Sequence, residues 1–217
     1  MSDPFDYTTI QEYLASLVPP RPDVLRDMEA YAAAHDFPII GPVVGQFCYQ
    51  VARLMGARSV FELGSGFGYS TAWFARAVQE NGGGVVHHTV WDDALSHQAQ
   101  EYLSRLGYTS LVHFHNAEAV QTLRETPGLF DIIFNDIDKE AYPDSLPLIK
   151  EKLRPGGVLI IDNMLWHARI FDPADHTPAT EGVRRFTQAI TTDPDWVVSL
   201  LPLRDGVILA YKKGEAA

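Results

Sequence analysis

The pattern of hydrophobic and polar positions predicts alternating strands and helices from Arg58 onward. Short apolar runs that stop at glycine or charged residues predict buried strands, and apolar positions three or four residues apart predict helices between them. Seven strands are predicted in this way, at residues 60–63, 85–91, 111–114, within 130–139, and at 158–161, 196–203 and 207–212. A long loop is predicted at 166–180, followed by a helix to residue 190. Strands that alternate with helices form a parallel sheet, whereas the Asp205-Gly206 turn predicts an antiparallel hairpin between the last two strands. The predicted fold is α/β, with a mostly parallel seven-stranded sheet and an antiparallel last strand.

Residues 1–57 carry helical patterns instead. Apolar residues within 8–18 repeat at helical spacing, a second helix is predicted after Pro22, and a third at about 44–55. This segment is too short to bury a core of its own. We therefore expect one domain over residues 1–217, with residues 1–57 packed on its main body or across a dimer interface and forming a wall of the active site.

Charged and polar side chains follow two of the predicted strands. Asp136, Asp138 and Lys139 come after one apolar run, and Asp162 and Asn163 follow the next. Ligands of open α/β sheets bind beyond the carboxyl ends of the strands, where carboxylate and amide oxygens suit a hard divalent cation. The alternative is that these side chains cap helices, which is less expected for both strands at once. A cation would favour the neutral amine of Lys139 and make it a base, whereas an ion pair with Asp138 or Glu140 is the structural alternative.

A glycine-rich turn follows the first strand, with the sequence Glu62-Leu63-Gly64-Ser65-Gly66-Phe67-Gly68. Glycines let a ligand approach the backbone, and the helix that follows offers free N–H groups. A dinucleotide fingerprint would need a third glycine where Tyr69 stands. Glu62 better suits a cofactor that carries an amino-acid group, whose ammonium it could receive directly or through water. A tight turn without a ligand is the simpler alternative.

Composition and charge narrow the class of protein. A net charge of −11 over 217 residues argues against a general nucleic-acid or anionic-membrane binder. The N-terminus, with Asp3 and Asp6, lacks the apolar run of a signal peptide, and no stretch approaches the ~18 apolar residues of a membrane span. The single cysteine, Cys48, lies on an apolar helical pattern and is interpreted as a core residue rather than a nucleophile. We expect a soluble, cytoplasmic protein, and the spacing of its histidines predicts no zinc site.

Taken together, these motifs resemble the cation-dependent, S-adenosylmethionine-dependent O-methyltransferases, the family of the caffeoyl-CoA and catechol O-methyltransferases. The likeness covers almost the whole chain. Its elements are Gly45-Gln46-Phe47, Glu62-Leu63-Gly64 with Gly68-Tyr69-Ser70, Asp136-Ile137-Asp138-Lys139 with Tyr142, Asp162-Asn163-Met164-Leu165-Trp166, and Leu201-Pro202-Leu203 with Asp205-Gly206. The resemblance implies a Rossmann-like class I methyltransferase fold with N-terminal helices, and a homodimer.

The resemblance also implies a role for individual residues. It assigns S-adenosylmethionine to Glu62, Gly64, Ser70, Ala117 and Asp136, a divalent cation to Asp136, Asp162 and Asn163, the base to Lys139, and the substrate to Asp138 and Trp166. Mg²⁺ is the expected cation, with Ca²⁺ or Mn²⁺ as alternatives. One position departs from the family, which has an acid at the end of the second strand to bind the ribose. Val90 stands there instead, and Asp92 is the candidate replacement if the strand end is shifted.

The function expected from the sequence is methyl transfer to a hydroxyl of a small catechol-like or hydroxylated aromatic compound. One alternative is a hydroxylated tRNA base as the substrate, which the acidic charge opposes. A second is a degenerate methyltransferase that serves as a binding or dimerisation module, which Val90 would favour. A nicotinamide dehydrogenase is opposed by Tyr69. No nucleic-acid or membrane partner is expected.

Overall fold

The computed structural model describes residues 6–214, so residues 1–5, with Asp3, and 215–217 lie outside the described part. This part contains seven strands, which are β1 (Ser59–Leu63), β2 (Val85–Val90), β3 (Val112–Asn116), β4 (Phe130–Asn135), β5 (Leu153–Ile161), β6 (Trp196–Leu201) and β7 (Val207–Lys212). It also contains eight α-helices, which are α1 (Tyr7–Ser16), α2 (Asp23–Ala34), α3 (Gly41–Met55), α4 (Tyr69–Glu80), α5 (Asp93–Arg105), α6 (Ala119–Glu125), α7 (Tyr142–Lys152) and α8 (Pro178–Thr192).

The seven strands form one sheet in the order β3-β2-β1-β4-β5-β7-β6. Strands β1 to β5 pair in parallel, and β7 runs antiparallel to both β5 and β6. The predicted fold, including the final antiparallel hairpin, is therefore confirmed. The chain proceeds outward in one direction from β1 to β3 and then returns to β4 on the other side of β1. Ligands of open α/β sheets bind in the crevice at such a switch point.

Alternate residues of the central strands pack on opposite faces of the sheet. On β1, Val60 contacts a hydrophobic cluster that includes side chains of α3 and α4, whereas Phe61 and Leu63 contact a second cluster that includes side chains of α7 and α8. Burying each large apolar side chain contributes about 1.5–3 kcal/mol to stability. Cys48 lies in the first cluster and is fully buried, which confirms its interpretation as a core residue. The side chain of Glu62 lies on the same face of the sheet as α4, where it is fully buried.

Three elements differ from the prediction. Helix α6 was not predicted, because its seven residues are too few for the helical spacing of its buried residues, Ala119, Thr122 and Leu123, to repeat. Strand β5 begins at Leu153 rather than 158, and its pairing with β4 shifts register within the Pro155-Gly156-Gly157 stretch that resembles a turn. The predicted loop at 166–180 contains a short 3₁₀ segment, Trp166–Phe171, and α8 already begins at Pro178.

The N-terminal helices cover one end of the sheet. Helix α3 packs on α4, whereas α1 buries none of its residues and is attached by hydrogen bonds. The Tyr7 hydroxyl donates to the Pro202 carbonyl (3.3 Å), and the Arg204 backbone N–H donates to Gln11 Oε1 (2.9 Å). Across residues 6–214, no helix combines the length and the apolar character needed to cross a membrane.

Candidate active site

A cleft of about 1440 Å³ lies at the switch point of the sheet. Its floor is formed at the ends of β1, β2, β4 and β5, where Gly64, Val90, Asp136 and Asp162 line it. Its walls come from α1, the loop before α3 and the segment after β5, with Tyr7, Gln11, Phe37, Pro38, Ile39, Trp166, His167 and Phe171 among the lining residues. The N-terminal segment therefore forms part of the cleft wall, as expected.

Lys139 lies buried at the floor of the cleft, with 8 % of its side chain exposed. Its ammonium contacts three acceptors, which are Asp136 Oδ1 (2.6 Å), the Ile137 carbonyl (3.2 Å) and the Tyr142 hydroxyl (2.9 Å). Among the described residues its ion-pair partner is Asp136, and neither Asp138 nor Glu140 pairs with it. A lysine held this tightly, with one acceptor for each proton, has a fixed position from which to exchange a proton with a ligand.

Tyr142 connects this lysine to the end of β5. Its hydroxyl donates to the Asp162 backbone carbonyl (3.0 Å) and accepts from Lys139. Burial, together with the nearby charges of Asp136 and Asp162, raises the pKa of Tyr142 well above its ordinary value. The phenol therefore stays protonated and serves as a donor, not as a base. The family resemblance includes Tyr142 in one of its motifs but assigns it no role.

Asp162 and Asn163 follow β5 and line the cleft beside Asp136. Asp162 is 3 % exposed, and its Oδ1 has no hydrogen-bond partner within residues 6–214. Burial raises the pKa of Asp162, and the charge of Asp136 raises it further. A buried carboxylate oxygen with no donor, next to a second carboxylate, fits a divalent cation. No three histidine, cysteine, aspartate or glutamate side chains of the described chain are grouped to hold a metal ion, so a cation here needs the Asn163 amide and water as ligands.

The glycine-rich turn between β1 and α4 presses against the end of β4. Gly64 has a φ of +82°, and a Cβ atom there would lie 2.6 Å from the Asp136 backbone oxygen. Only glycine fits both the backbone conformation and the close approach. Gly64 lines the cleft, so the backbone is open to a ligand at this point. The turn therefore suits a ligand that lies against the main chain.

Glu62 lies beneath this turn and is fully buried. It accepts a hydrogen bond from the Thr71 hydroxyl, while its Oε1 has no partner within the described residues. Burial raises the pKa of Glu62 to about 7, although hydrogen bonding from Ser70 and Thr71 opposes the shift. Neither Glu62 nor Ser70 is among the residues that line the cleft. Ser70 lies near Glu62 and lowers its pKa. Glu62 is a carboxylate with an unused acceptor behind the floor of the cleft.

The end of β2 offers the cleft no carboxylate. Strand β2 ends at Val90, which lines the cleft together with Ala117 and the 83 % exposed Trp91. Asp92, the candidate for the ribose, does not line the cleft, because its Oδ1 accepts the Leu95 N–H (3.0 Å) and caps α5. The shifted strand end considered for Asp92 is therefore absent, and the structure gives this side chain a helix-capping role.

The structure brings together most of the residues selected from the sequence. Those that line the cleft are Gly64, Ala117, Asp136, Asp138, Lys139, Asp162, Asn163 and Trp166. Sequence reasoning missed two others. Asp205 lines the cleft and contacts Asn163, but its Asp-Gly pattern indicated only a hairpin. Gly182 on α8 lies directly against the Lys139 carbonyl, and a glycine inside a helical pattern was the only signal that could have indicated it.

The doubly wound sheet and the cleft at its switch point define a Rossmann-like protein with a ligand-binding site. The sequence model of a family described as O-methyltransferase matches residues 21–213, so the chain belongs to the O-methyltransferase family. A catechol O-methyltransferase from Niastella koreensis is 29% identical over 218 residues, which cover 95% of this chain and 98% of that protein. The prediction of the family and of a methyl-transferring enzyme is thereby confirmed.

Solved structures show the same architecture. The O-methyltransferase from Bacillus cereus, in complex with SAH, has a TM-score of 0.85 at 27% identity and covers 94% of this chain and 97% of its own. The O-methyltransferase TomG from Streptomyces achromogenes, involved in tomaymycin synthesis and in complex with SAM, has a TM-score of 0.86 at 25% identity. The match covers 99% of this chain and 100% of TomG. The predicted fold is thus shared with Rossmann-like methyltransferases.

Proposed function

We propose that the protein transfers a methyl group from S-adenosylmethionine to a hydroxyl of a small catechol-like or hydroxylated aromatic substrate, with a divalent cation, expected to be Mg²⁺. One observation supports this proposal above the others. In the cleft of an O-methyltransferase fold, a buried lysine contacts Asp136, and the unpartnered carboxylate oxygen of Asp162 lies at the neighbouring strand end. Two carboxylates, an amide and a lysine are the groups that metal-assisted deprotonation of a hydroxyl requires.

In this proposal each side chain has a separate task. Asp136, Asp162 and Asn163 would hold the cation, which would supply a lower pKa for a hydroxyl bound to it. Lys139 would act in its neutral form, after the ammonium has given one proton to solvent, and would then take up the proton of that hydroxyl at Nζ. Tyr142 would keep the Lys139 amine in place through the hydrogen bond that the two share. Proton transfer of this kind typically contributes about 10²–10⁴-fold to a rate.

The cofactor would lie between the glycine turn and the end of β2. Gly64 would admit it to the backbone, Ala117 would pack near its adenine, and Glu62 would balance its ammonium from behind the floor. The sulfonium would supply the reactive methyl group, and the protein would supply alignment. Trp166 and Asp138 line the same cleft and would orient a flat substrate opposite the methyl donor.

The deciding experiment incubates the purified protein with S-adenosylmethionine, Mg²⁺ and a panel of catechols, with and without a chelator. We expect methylated product only when the cation is present, and no product from Asp162→Asn. Arg105→Gln is the control and should retain activity, because it removes only an ion pair between Arg105 on α5 and Asp27 on α2. Product formation that ignores the chelator would remove the cation from the proposal.

A second candidate is a binding module without catalysis, which is favoured by Val90, an apolar residue at the end of β2 where the family has an acid. Calorimetry with S-adenosylmethionine separates the two, because a module without cofactor affinity gives no heat even at millimolar concentration. We also propose a homodimer in the cytoplasm, with residues 1–217 forming one domain. Sedimentation velocity of the full chain tests the dimer, and a single monomeric species would contradict it.

A further inference from the structure

We propose that Asp205 is a positioning residue that fixes the orientation of the Asn163 amide, so that the amide oxygen faces the Asp162 side of the cleft. This inference rests on the proposed function, in which Asn163 is a cation ligand. Asp205 lies in the turn between β6 and β7, its side chain is 14 % exposed, and it lines the cleft. Its role would be to select which end of the amide a cation meets.

The first observation concerns the amide itself. Asn163 Nδ2 lies 3.4 Å from Asp205 Oδ2. A carboxylate only accepts hydrogen bonds, so the group that faces it must be the NH₂ end of the amide. The carbonyl oxygen of Asn163 is then directed away from Asp205, and it is the end that a hard cation prefers. Without a carboxylate on that side, the two ends of the amide would be nearly equivalent in shape.

The second observation concerns the backbone around Asn163. Asp205 Oδ1 accepts the His167 N–H (2.6 Å), and the Asp205 carbonyl accepts the Leu165 N–H (2.7 Å). The next carbonyl, of Gly206, accepts the Met164 N–H (2.9 Å). One turn thus accepts three backbone N–H groups of the segment that follows β5. This segment is held in place by bonds to Asp205 and Gly206.

The held segment is strained. Asn163 has a φ of +60°, and three further residues in succession, Trp166, His167 and Ala168, have φ values of +48°, +51° and +63°. A left-handed backbone is unfavourable for tryptophan and alanine and less so for asparagine. Such strain persists only where the surroundings determine the conformation. The hydrogen bonds to Asp205 hold the segment in this conformation. The same segment places Trp166 in the cleft.

Two substitutions at Asp205 separate positioning from mere structural support. In Asp205→Asn, the oxygen can still accept the His167 N–H, but an NH₂ group then faces the NH₂ of Asn163. We expect the Asn163 amide to turn over, so that its NH₂ end faces the cation. Changes to a residue that orients a metal ligand typically cost about 10–100-fold in metal affinity, and we expect a loss in this range with an almost unchanged melting temperature.

Asp205→Ala should show the opposite pattern. It removes the bond to His167 and lowers the melting temperature, but it leaves the Asn163 amide free to turn its oxygen toward a cation. The loss of affinity should therefore be smaller than in Asp205→Asn. The double variant Asn163→Asp with Asp205→Asn exchanges donor and acceptor while it keeps the net charge, and should restore affinity to within a few-fold of the wild type.

The experiment is calorimetric titration of each full-length variant with Mg²⁺ in the presence of S-adenosylhomocysteine, together with thermal melting. Asp144→Asn, the same change at an exposed carboxylate on α7, is the control and should bind like the wild type. Equal losses of affinity in both Asp205 variants, with no recovery in the double variant, would overturn the inference and make Asp205 a direct ligand. A wild type that binds no cation would instead overturn the proposed cation dependence, and the inference with it.

Discussion

Replacing Gly182 with alanine tests whether α8 fixes the position of the proposed base. Gly182 is buried in α8, and its backbone conformation is helical, so alanine introduces no strain in φ. A Cβ atom there would lie 2.2 Å from the Lys139 carbonyl oxygen and 2.8 Å from its carbonyl carbon. Ordinary contacts begin near 3.4 Å, so either α8 or the turn at Lys139 has to move by about 1 Å.

The expected effects differ in size for stability and for catalysis. Overpacking of this kind costs about 1–3 kcal/mol, whereas alanine gains up to about 1 kcal/mol over glycine inside a helix. The net loss should be about 1 kcal/mol, which lowers the melting temperature by about 2–4 °C for a chain of this size. A displacement of about 1 Å at a catalytic group can cost 10²-fold in rate. The fall in kcat should therefore greatly exceed the fall in stability.

The assay compares kcat and melting temperature for Gly182→Ala, Gly182→Ser and the wild type, with S-adenosylmethionine and a catechol that the wild type accepts. The serine variant should lose more than the alanine variant, because its side chain is larger. Gln188→Ala, at an exposed position of the same helix, is the control and should change neither quantity. A Gly182→Ala enzyme with the wild-type kcat would refute the reasoning that α8 sets the position of Lys139.

Three further predictions concern the floor of the cleft. Gly64→Ala should lose several kcal/mol of stability in urea unfolding, because it adds a clash with a backbone carbonyl to the strain of a positive φ. Gly82 also has a positive φ but lies in open space, so Gly82→Ala should lose only about 1 kcal/mol. Equal losses in the two variants would contradict this prediction. In the proposed function the deprotonated form of Glu62 balances the ammonium of the cofactor, and the pKa of Glu62 is about 7, so affinity for S-adenosylhomocysteine should be full above pH 7 and fall up to about tenfold per pH unit below it; calorimetry checks this, and Glu62→Gln should abolish the dependence. Lys139→Met should lower kcat by about 10²–10⁴-fold with cofactor affinity retained, and a parallel loss of cofactor affinity would argue for a structural role.

Local patterns predicted most of the fold, because the spacing of apolar residues in a strand or helix, and the residues of a turn, can be recognised within a few consecutive positions. Helix α6 was missed for the same reason, since a helix of seven residues shows the helical spacing of its buried residues only once. The start of β5 depends on pairing with Phe130, a residue far from it in sequence, and the Pro155-Gly156-Gly157 stretch gives the opposite local signal.

The site shows the same division. The spacing from Asp136 to Lys139 was enough to place both in one pocket, but only the fold of the turn decides which carboxylate the lysine contacts. Asp92 depends on where β2 ends, and that end is set by pairing between Val90 and Asn116 on the neighbouring strand. A shift of one or two residues decides whether a carboxylate faces a ligand or caps a helix. Distant pairing, which no local pattern contains, fixes that choice.

Helix α1 lies outside residues 21–213, the part of the chain that the family model matches, yet Tyr7 and Gln11 line the cleft. The helix buries no residue, and both side chains bind main-chain atoms of the turn at Pro202 and Arg204. A main-chain atom is present whatever side chain the turn carries. The side chains of Pro202 and Arg204 can therefore change without loss of these bonds, whereas changes at Tyr7 and Gln11 would loosen α1 without disturbing the core. Under the proposed function, residues of α1 could thus alter the substrate preference while the groups at the strand ends stay the same.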